Sequence, residues 1–322
     1  MAETVAHIQG NPSSALTPLI LIHAISGLAL PYFALGSLSG VHEHDADSGS
    51  ASSRPVYGLS SPIFESTSSF RRHSKSLPSL ALEYVRIIQR DVQPKGPYLL
   101  GGWSMGGMIA VEMAAILTAQ GETVKHVLMI DSLNPEVYLP FHDAQERQVL
   151  STLTYNAIAW RVNGPVSTDT AAGFEDSAPS SAEGSTVPSS SENSPENTDY
   201  GSDSEDGSLG GLDEFMGLLR EHIAQGLRML ASYQTLHRRV CLPGTDVTLV
   251  KCTALGSLSP LLSEGRRAFA RKNNLDPSNG WRPGQFGSFV SVPFAAAHDA
   301  CFDAGVVGKL TAILRGVLKD IE

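Results

Sequence analysis

Apolar residues in this chain fall into short solid runs separated by longer amphipathic stretches. Leu19 to His23, Pro55 to Leu59, Pro97 to Leu100 and Val124 to Ile130 are runs of strand length, and Asp246 to Cys252 and Val290 to Val292 read as later strands. The intervals carry a helical period. Between Pro78 and Val92, Leu80, Tyr84, Ile87 and Ile88 fall near one face, and Met108 to Gln120 is unbroken helix-forming sequence ended by Gly121. From Leu212 to Leu236, Phe215, Leu219, Ile223, Leu227 and Leu230 repeat at helical spacing. The first run leads through the loop Ala24 to Gly27 into the beginning of a helix, and a helix closes the chain after His298. Strands alternating with helices predict an α/β fold: a mostly parallel sheet with helices on both faces.

One stretch breaks this rhythm. From residue 162 to 210 the sequence is rich in Ser, Pro and Gly, nearly free of large apolar residues, and holds ten acids with no Lys or Arg. It cannot bury enough surface to offset its ordering entropy, so it is expected to be a disordered acidic insert, a tolerated surface insertion or a phosphorylatable tether. A shorter loop of similar kind runs from His42 to Ser53. The insert alone matches the net charge of -10, which leaves the rest of the chain neutral and gives no sign of a nucleic-acid or anionic-membrane partner. With 322 residues and 42% apolar content, a single domain over 1–322 is expected, with 140–240 as a lid region that includes the insert. Pro18 to Leu38 lacks both the basic n-region of a signal peptide and an unbroken membrane span. Three cysteines without Cys-x-x-Cys spacing suggest neither a disulfide framework nor a zinc site, and the expected setting is cytoplasmic.

Chemistry enters at Gly101-Gly-Trp-Ser-Met-Gly-Gly. An apolar strand, a Gly-x-Ser-x-Gly turn around Ser104 and a helix follow one another in the order of a nucleophile elbow, with Gly102 and Gly106 where side chains would collide. The alternative is a glycine-rich connection, or one binding phosphate at a helix N-terminus. A serine nucleophile needs a histidine base and a carboxylate that fixes its tautomer, and in the α/β-hydrolase fold both follow the serine, the histidine last. Of the three histidines beyond the insert, His222 and His237 sit on the expected lid helix, where a packed or solvated histidine is ordinary. His298 lies in a small-residue loop past the last strand and is the candidate base. Asp131 ends the apolar strand after the elbow helix and is the candidate acid; Asp246 sits at the wrong end of its strand, and Asp299 adjoins His298 too closely. For the oxyanion, the amide of Met105 is one donor, and the loop Ala24 to Gly27 supplies the other, from Ile25 or Ala24. Trp103, with Phe215, Met216 and Leu219 of the lid helix, either lines an acyl pocket or packs the core.

The elbow, together with Gln120-Gly-Glu-Thr-Val and Leu128-Met-Ile-Asp-Ser-Leu-Asn-Pro, resembles the thioesterase domain that ends polyketide and peptide synthetases. The likeness is nearest to the thioesterase/Claisen-cyclase domain of fungal non-reducing polyketide synthases. Val56-Tyr-Gly-Leu-Ser-Ser-Pro and Asn273-Asn-Leu-Asp-Pro-Ser-Asn-Gly-Trp281 are similar to that family as well. Two departures stand out: Ala297 precedes the histidine where the family usually has Asn, and His23-Ala-Ile-Ser-Gly replaces its usual Pro-Asp-Gly-Ser-Gly loop.

The resemblance implies an α/β-hydrolase fold and a triad of Ser104, Asp131 and His298. It also implies an acyl chain carried on the phosphopantetheine of an acyl carrier protein, which makes that protein, on a separate polyketide synthase, the expected partner. No cofactor or metal is required. Two fates are open to the acyl-enzyme, hydrolysis by water or Claisen-type closure by a carbanion within the substrate. Two other functions are weighed beside release: a hydrolase of small esters or of stray acyl groups, and a non-catalytic hydrolase-fold interaction module.

Overall fold

The computed structural model describes residues 3–39, 53–65, 75–163, 206–236 and 239–321. Seven strands form one sheet: β1 (Val5–Gln9), β2 (Leu19–Ile22), β3 (Val56–Leu59), β4 (Tyr98–Trp103), β5 (Val124–Ile130), β6 (Leu242–Cys252) and β7 (Phe286–Phe294). Their spatial order is β1-β3-β2-β4-β5-β6-β7; only β1 runs antiparallel, beside β3. The six described α-helices are α1 (Leu77–Asp91), α2 (Met105–Ala119), α3 (Ala144–Asn163), α4 (Asp206–Ser232), α5 (Glu264–Leu275) and α6 (Val307–Lys319).

The strands are buried on both faces because their side chains alternate between two cores. Ile20, Ile22, Leu100, Val127, Met129, Val247 and Leu249 point to the side of α1 and α2, where Leu80, Tyr84, Ile88, Ile109 and Met113 meet them. Leu19, Leu21, Leu99, Leu128, Ile130 and Val250 point to the opposite side, covered by Tyr32, Leu35 and the Leu310, Leu314 and Leu318 stripe of α6. A third apolar cluster joins α3 and α4 to Leu28, Ile63 and Phe64.

The helix of 77–91 starts where Ser76 caps it, with Pro78 in its first turn. Several expectations need adjustment. The helix expected after Gly27 is a single 3-10 turn, Leu30–Ala34, with Pro31 at its start. Strand β1 carries no strong apolar alternation, as befits a half-buried edge strand, and it was not expected. Strands β6 and β7 are longer than the apolar runs that mark them, since their outer ends carry exposed or half-buried residues. At the edges of the acidic insert, residues 162–163 and 206–210 continue α3 and α4; residues 164–205, and His42 to Ser52 of the shorter loop, lie outside the described residues, as does His237. Among the described residues no helix is long and apolar enough to cross a membrane.

Candidate active site

The carboxyl ends of the parallel strands gather the candidate residues at one edge of the sheet. Ser104 follows β4 directly, with φ 58° and ψ -121°, a left-handed backbone that costs a non-glycine residue energy. The surroundings impose it. The Ser104 N–H donates to the Ile130 carbonyl at 2.9 Å, and the Trp103 N–H donates to the Tyr32 hydroxyl oxygen at 2.8 Å, whose own O–H reaches the Ile22 carbonyl. The glycines are sterically required. A Cβ on Gly106 would lie 2.1 Å from the Ile22 carbonyl oxygen, and one on Gly102 2.4 Å from the Gly106 backbone.

Asp131 follows β5, also at positive φ (44°), its N–H donating to Val250 at 2.8 Å. Its two oxygens face different surroundings. Oδ2 accepts from His298 Nδ1–H at 2.8 Å. Oδ1 accepts from Asn279 Nδ2 at 3.1 Å and the Cys252 amide at 3.2 Å, and pairs with Lys251 Nζ at 3.5 Å. Burial opposes the carboxylate charge, but His298, Lys251 and Asn279 outweigh it and hold Asp131 down to about 2. His298 sits in a 3-10 turn after β7, and its Nε2 lies 3.1 Å from Ser104 Oγ. Burial also opposes its protonation, yet the hydrogen bond and charge of Asp131 raise it to about 9. Ser104, His298 and Asp131 therefore form one hydrogen-bonded line, with the imidazole tautomer set by the carboxylate.

Met105 opens α2, so its amide lies in the first helical turn, where backbone donors lack partners within the helix. Ile25 lies across the site, in the loop after β2. Both Ile25 and Ser104 line a cavity of about 720 Å³, together with Trp103 and His298. Its apolar wall comes from Leu28, Leu150, Leu153, Ile158, Leu258 and Phe302. Trp103 stands against both His298 and Phe302, with ring centroids at 5.5 Å and 5.2 Å.

Phe215, Met216 and Leu219 are not among the cavity's lining residues. They face Leu28, Ile63 and Phe64, so the apolar stripe of α4 builds a core, and the helical contribution to the cavity comes from α3 instead. This corrects the assignment of those three residues to the pocket. Helical period reveals that a face is buried, not whether its neighbour is a cavity.

Lys251 was not singled out in the sequence, and Asn279 and Trp281 stand there only within the family-like segment, without a role. Trp281 donates its indole N–H to the Ser132 carbonyl at 2.9 Å, which fixes the turn behind Asp131. A signal existed for each. Lys251 is a lone cation at the end of an apolar strand, and Asn279 and Trp281 close the family-like segment that begins at Asn273. His222 proves fully buried, with Nδ1 3.0 Å from the Ile25 carbonyl.

Comparison with known proteins places this geometry in context. A thioesterase domain model matches residues 53–182. The chain is 67% identical over 322 residues to thioesterase pytI of Aspergillus terreus, covering 99% of this chain and 100% of that one. It is 36% identical to thioesterase pynI of Aspergillus niger, covering 98% and 99%. A non-reducing polyketide synthase of Pseudevernia furfuracea matches 41% of this chain at 37% identity, over 6% of its own length. Among solved structures, the NocB thioesterase domain in covalent complex with a fluorophosphonate nocardicin G analog aligns over 98% of this chain and 99% of its own, with TM-score 0.56 and 21% identity, a likeness of fold.

Proposed function

The chain belongs to the thioesterase family, and from that membership we propose that it cleaves an acyl thioester through a covalent intermediate on Ser104. His298 Nε2 takes the Ser104 proton as Oγ attacks the thioester carbonyl, and Asp131 stabilises the imidazolium that results. The amides of Met105 and Ile25 receive the oxyanion. Collapse of the tetrahedral species expels the thiol, which leaves with the proton from His298, and an ester on Ser104 remains. The second half repeats the steps with a new nucleophile activated by His298: water for hydrolysis, or a carbanion within the acyl chain for Claisen-type closure. The protein supplies all the catalytic groups, and no cofactor takes part.

The observation that carries this reading is the Ser104–His298–Asp131 line at the edge of an apolar cavity large enough for an acyl chain. The partial similarity to non-reducing polyketide synthases supports a polyketide chain as the acyl group and a carrier protein's phosphopantetheine as the thiol. The family reading and the cavity speak against the non-catalytic alternative.

Intact mass after mixing with an acyl-phosphopantetheine thioester tests the mechanism. The wild-type chain is expected to gain the acyl mass or release thiol, and Ser104→Ala and His298→Ala to do neither. Thiol release undiminished in Ser104→Ala would remove Ser104 as the nucleophile.

A further inference from the structure

The loop that carries the second oxyanion donor rests on a buried cluster of three rings that takes no part in the proton transfers. His23 ends the apolar run of β2 and is fully buried. Its Nδ1 is 2.5 Å from the Ala24 carbonyl, so it donates there, and its Nε2 accepts from the Tyr84 hydroxyl of α1. His222, from α4, donates through Nδ1–H to the next carbonyl, that of Ile25, at 3.0 Å. The two imidazoles meet edge to face with centroids 5.0 Å apart. Burial holds both rings in the neutral form, His23 down to about 3 and His222 to about 4, so each presents a single ring N–H.

A peptide unit is planar and trans, so its C=O and N–H point in opposite directions. With the Ala24 carbonyl drawn back by His23, the N–H of that same peptide, on Ile25, points away from the histidines. With the Ile25 carbonyl drawn back by His222, the Ser26 N–H is turned likewise. Two consecutive peptides are thus oriented by two consecutive bonds, one from β2 and one from α4. Van der Waals contact reinforces the second. A Cβ on Gly27 would lie 3.0 Å from the His222 ring, and one on Gly226, a turn further along α4, would lie 3.1 Å from Ile25 and 3.2 Å from the Met105 sulfur. Helix α4 therefore touches both residues whose amides would bind the oxyanion, although its apolar stripe lies outside the cavity.

We propose that His222 is a positioning residue for acyl transfer, which ties helix α4 to the oxyanion loop by fixing the Ile25–Ser26 peptide. It touches neither Ser104 nor the substrate; the Ile25 N–H belongs to the preceding peptide, which His23 holds, and His222 steadies that donor by fixing the adjoining Ile25–Ser26 peptide and packing against Gly27. The proposal rests on Ser104 forming an oxyanion intermediate, and it predicts that displacement of α4 slows chemistry while the triad stays intact.

The test compares the full-length wild type with His222→Leu, which keeps apolar bulk without a donor, and His222→Asn, whose side-chain amide can donate from nearly the Nδ1 position. Steady-state kinetics on an acyl-phosphopantetheine thioester are measured for each, with Ser104→Ala as the control. Removing an oxyanion donor outright costs about 100- to 1000-fold in kcat, so misdirecting one is expected to cost about 10- to 100-fold in His222→Leu, with KM within about threefold. His222→Asn is expected to recover most of the loss. A second variant, Gly226→Ala, keeps every hydrogen-bonding group and crowds the Ile25 and Met105 side chains, which must give by a few tenths of an ångström; its kcat is expected to fall severalfold. The proposal is overturned if kcat in His222→Leu or Gly226→Ala equals the wild type's, if Asn is no better than Leu, or if the loss appears only in KM. Turnover persisting in Ser104→Ala would instead overturn the reading on which the proposal rests.

Discussion

The two walls of the cavity are held by different forces. On the sheet side, directional bonds from distant segments converge on single atoms: Asp131 Oδ1 alone receives Asn279 from the turn after α5, and Lys251 and the Cys252 amide from the end of β6, brought from 148, 120 and 121 residues away in sequence. On the helical side, α3 and α4 meet through apolar contacts among Met216, Leu219, Ile223, Leu150 and Ile158, with Arg220 over the Tyr155 ring. Hydrogen bonds fix distances to a few tenths of an ångström, whereas apolar contact fixes volume and tolerates sliding. On the proposed mechanism the chemistry sits on the rigid wall and substrate shape is read by the softer one, with His222 as one directional bond that ties the two.

The comparison breaks most sharply at Asp131. Asp131→Asn keeps the shape but loses the charge that fixes the His298 tautomer, and kcat is expected to fall by about 10³- to 10⁴-fold, as in other serine triads. Its pH profile moves too. The base must be neutral to accept the Ser104 proton, so in the wild type kcat/KM is expected to climb as pH rises toward about 9, where His298 deprotonates. Without the Asp131 carboxylate the two largest influences that raise the ring are lost, burial is opposed mainly by the charge of Asp299, and the residual activity should rise at lower pH. A profile unmoved by the substitution would count against Asp131 as the partner.

Lys251→Met makes the opposite change at nearly constant volume. Losing a buried cation beside Asp131 costs about 3 kcal/mol of stability, the low end for breaking a buried pair, and is read as a drop in the midpoint of denaturant unfolding. The carboxylate that remains attracts the imidazolium more strongly, so the activity limb is expected to move to higher pH while kcat at its plateau changes less than about tenfold. A shift to lower pH would mean that Lys251 acts on His298 by another route.

The soft wall should give the smallest effect and one confined to substrate length. Ile158→Ala in α3 removes lining carbon from the cavity, worth about 1 kcal/mol of acyl contact. The expected result is a KM severalfold higher for a long acyl thioester and unchanged for an acetyl thioester, measured side by side. An equal change for both would place Ile158 in the catalytic frame.

Legibility in the sequence followed the same division. The elbow is local: strand, turn and helix lie within Tyr98 to Ala119, so one contiguous stretch displays the apolar run, the glycines and the serine together. Asp131 stands out as a polar residue at the end of an apolar strand and His298 as the histidine of a small-residue loop past the last strand, and alternating periods are enough to suggest a parallel sheet. Lys251 could not be paired with Asp131 without the β5–β6 register, in which Ile130 lies beside Val250, nor Asn279 without the turn after α5 that bonds the Asn134 amide. His222 looked like any helical histidine because its partner, the Ile25 carbonyl, is a backbone atom 197 residues distant. For Phe215, Met216 and Leu219 pocket lining and core packing both stayed open, because spacing identifies an apolar face and says nothing of what lies opposite.

The left-handed turn at Ser104 also bounds which nucleophiles this scaffold can sample over evolution. At φ 58° a β-branched side chain is a severe outlier, so threonine, one hydroxyl-bearing neighbour of serine, is barred by geometry before its reactivity matters. Cysteine is unbranched and of similar shape, and it remains sterically admissible. The elbow thus channels inherited variation at this position toward an oxygen-to-sulfur exchange, and leaves diversity in reaction outcome to the residues that surround the acyl chain.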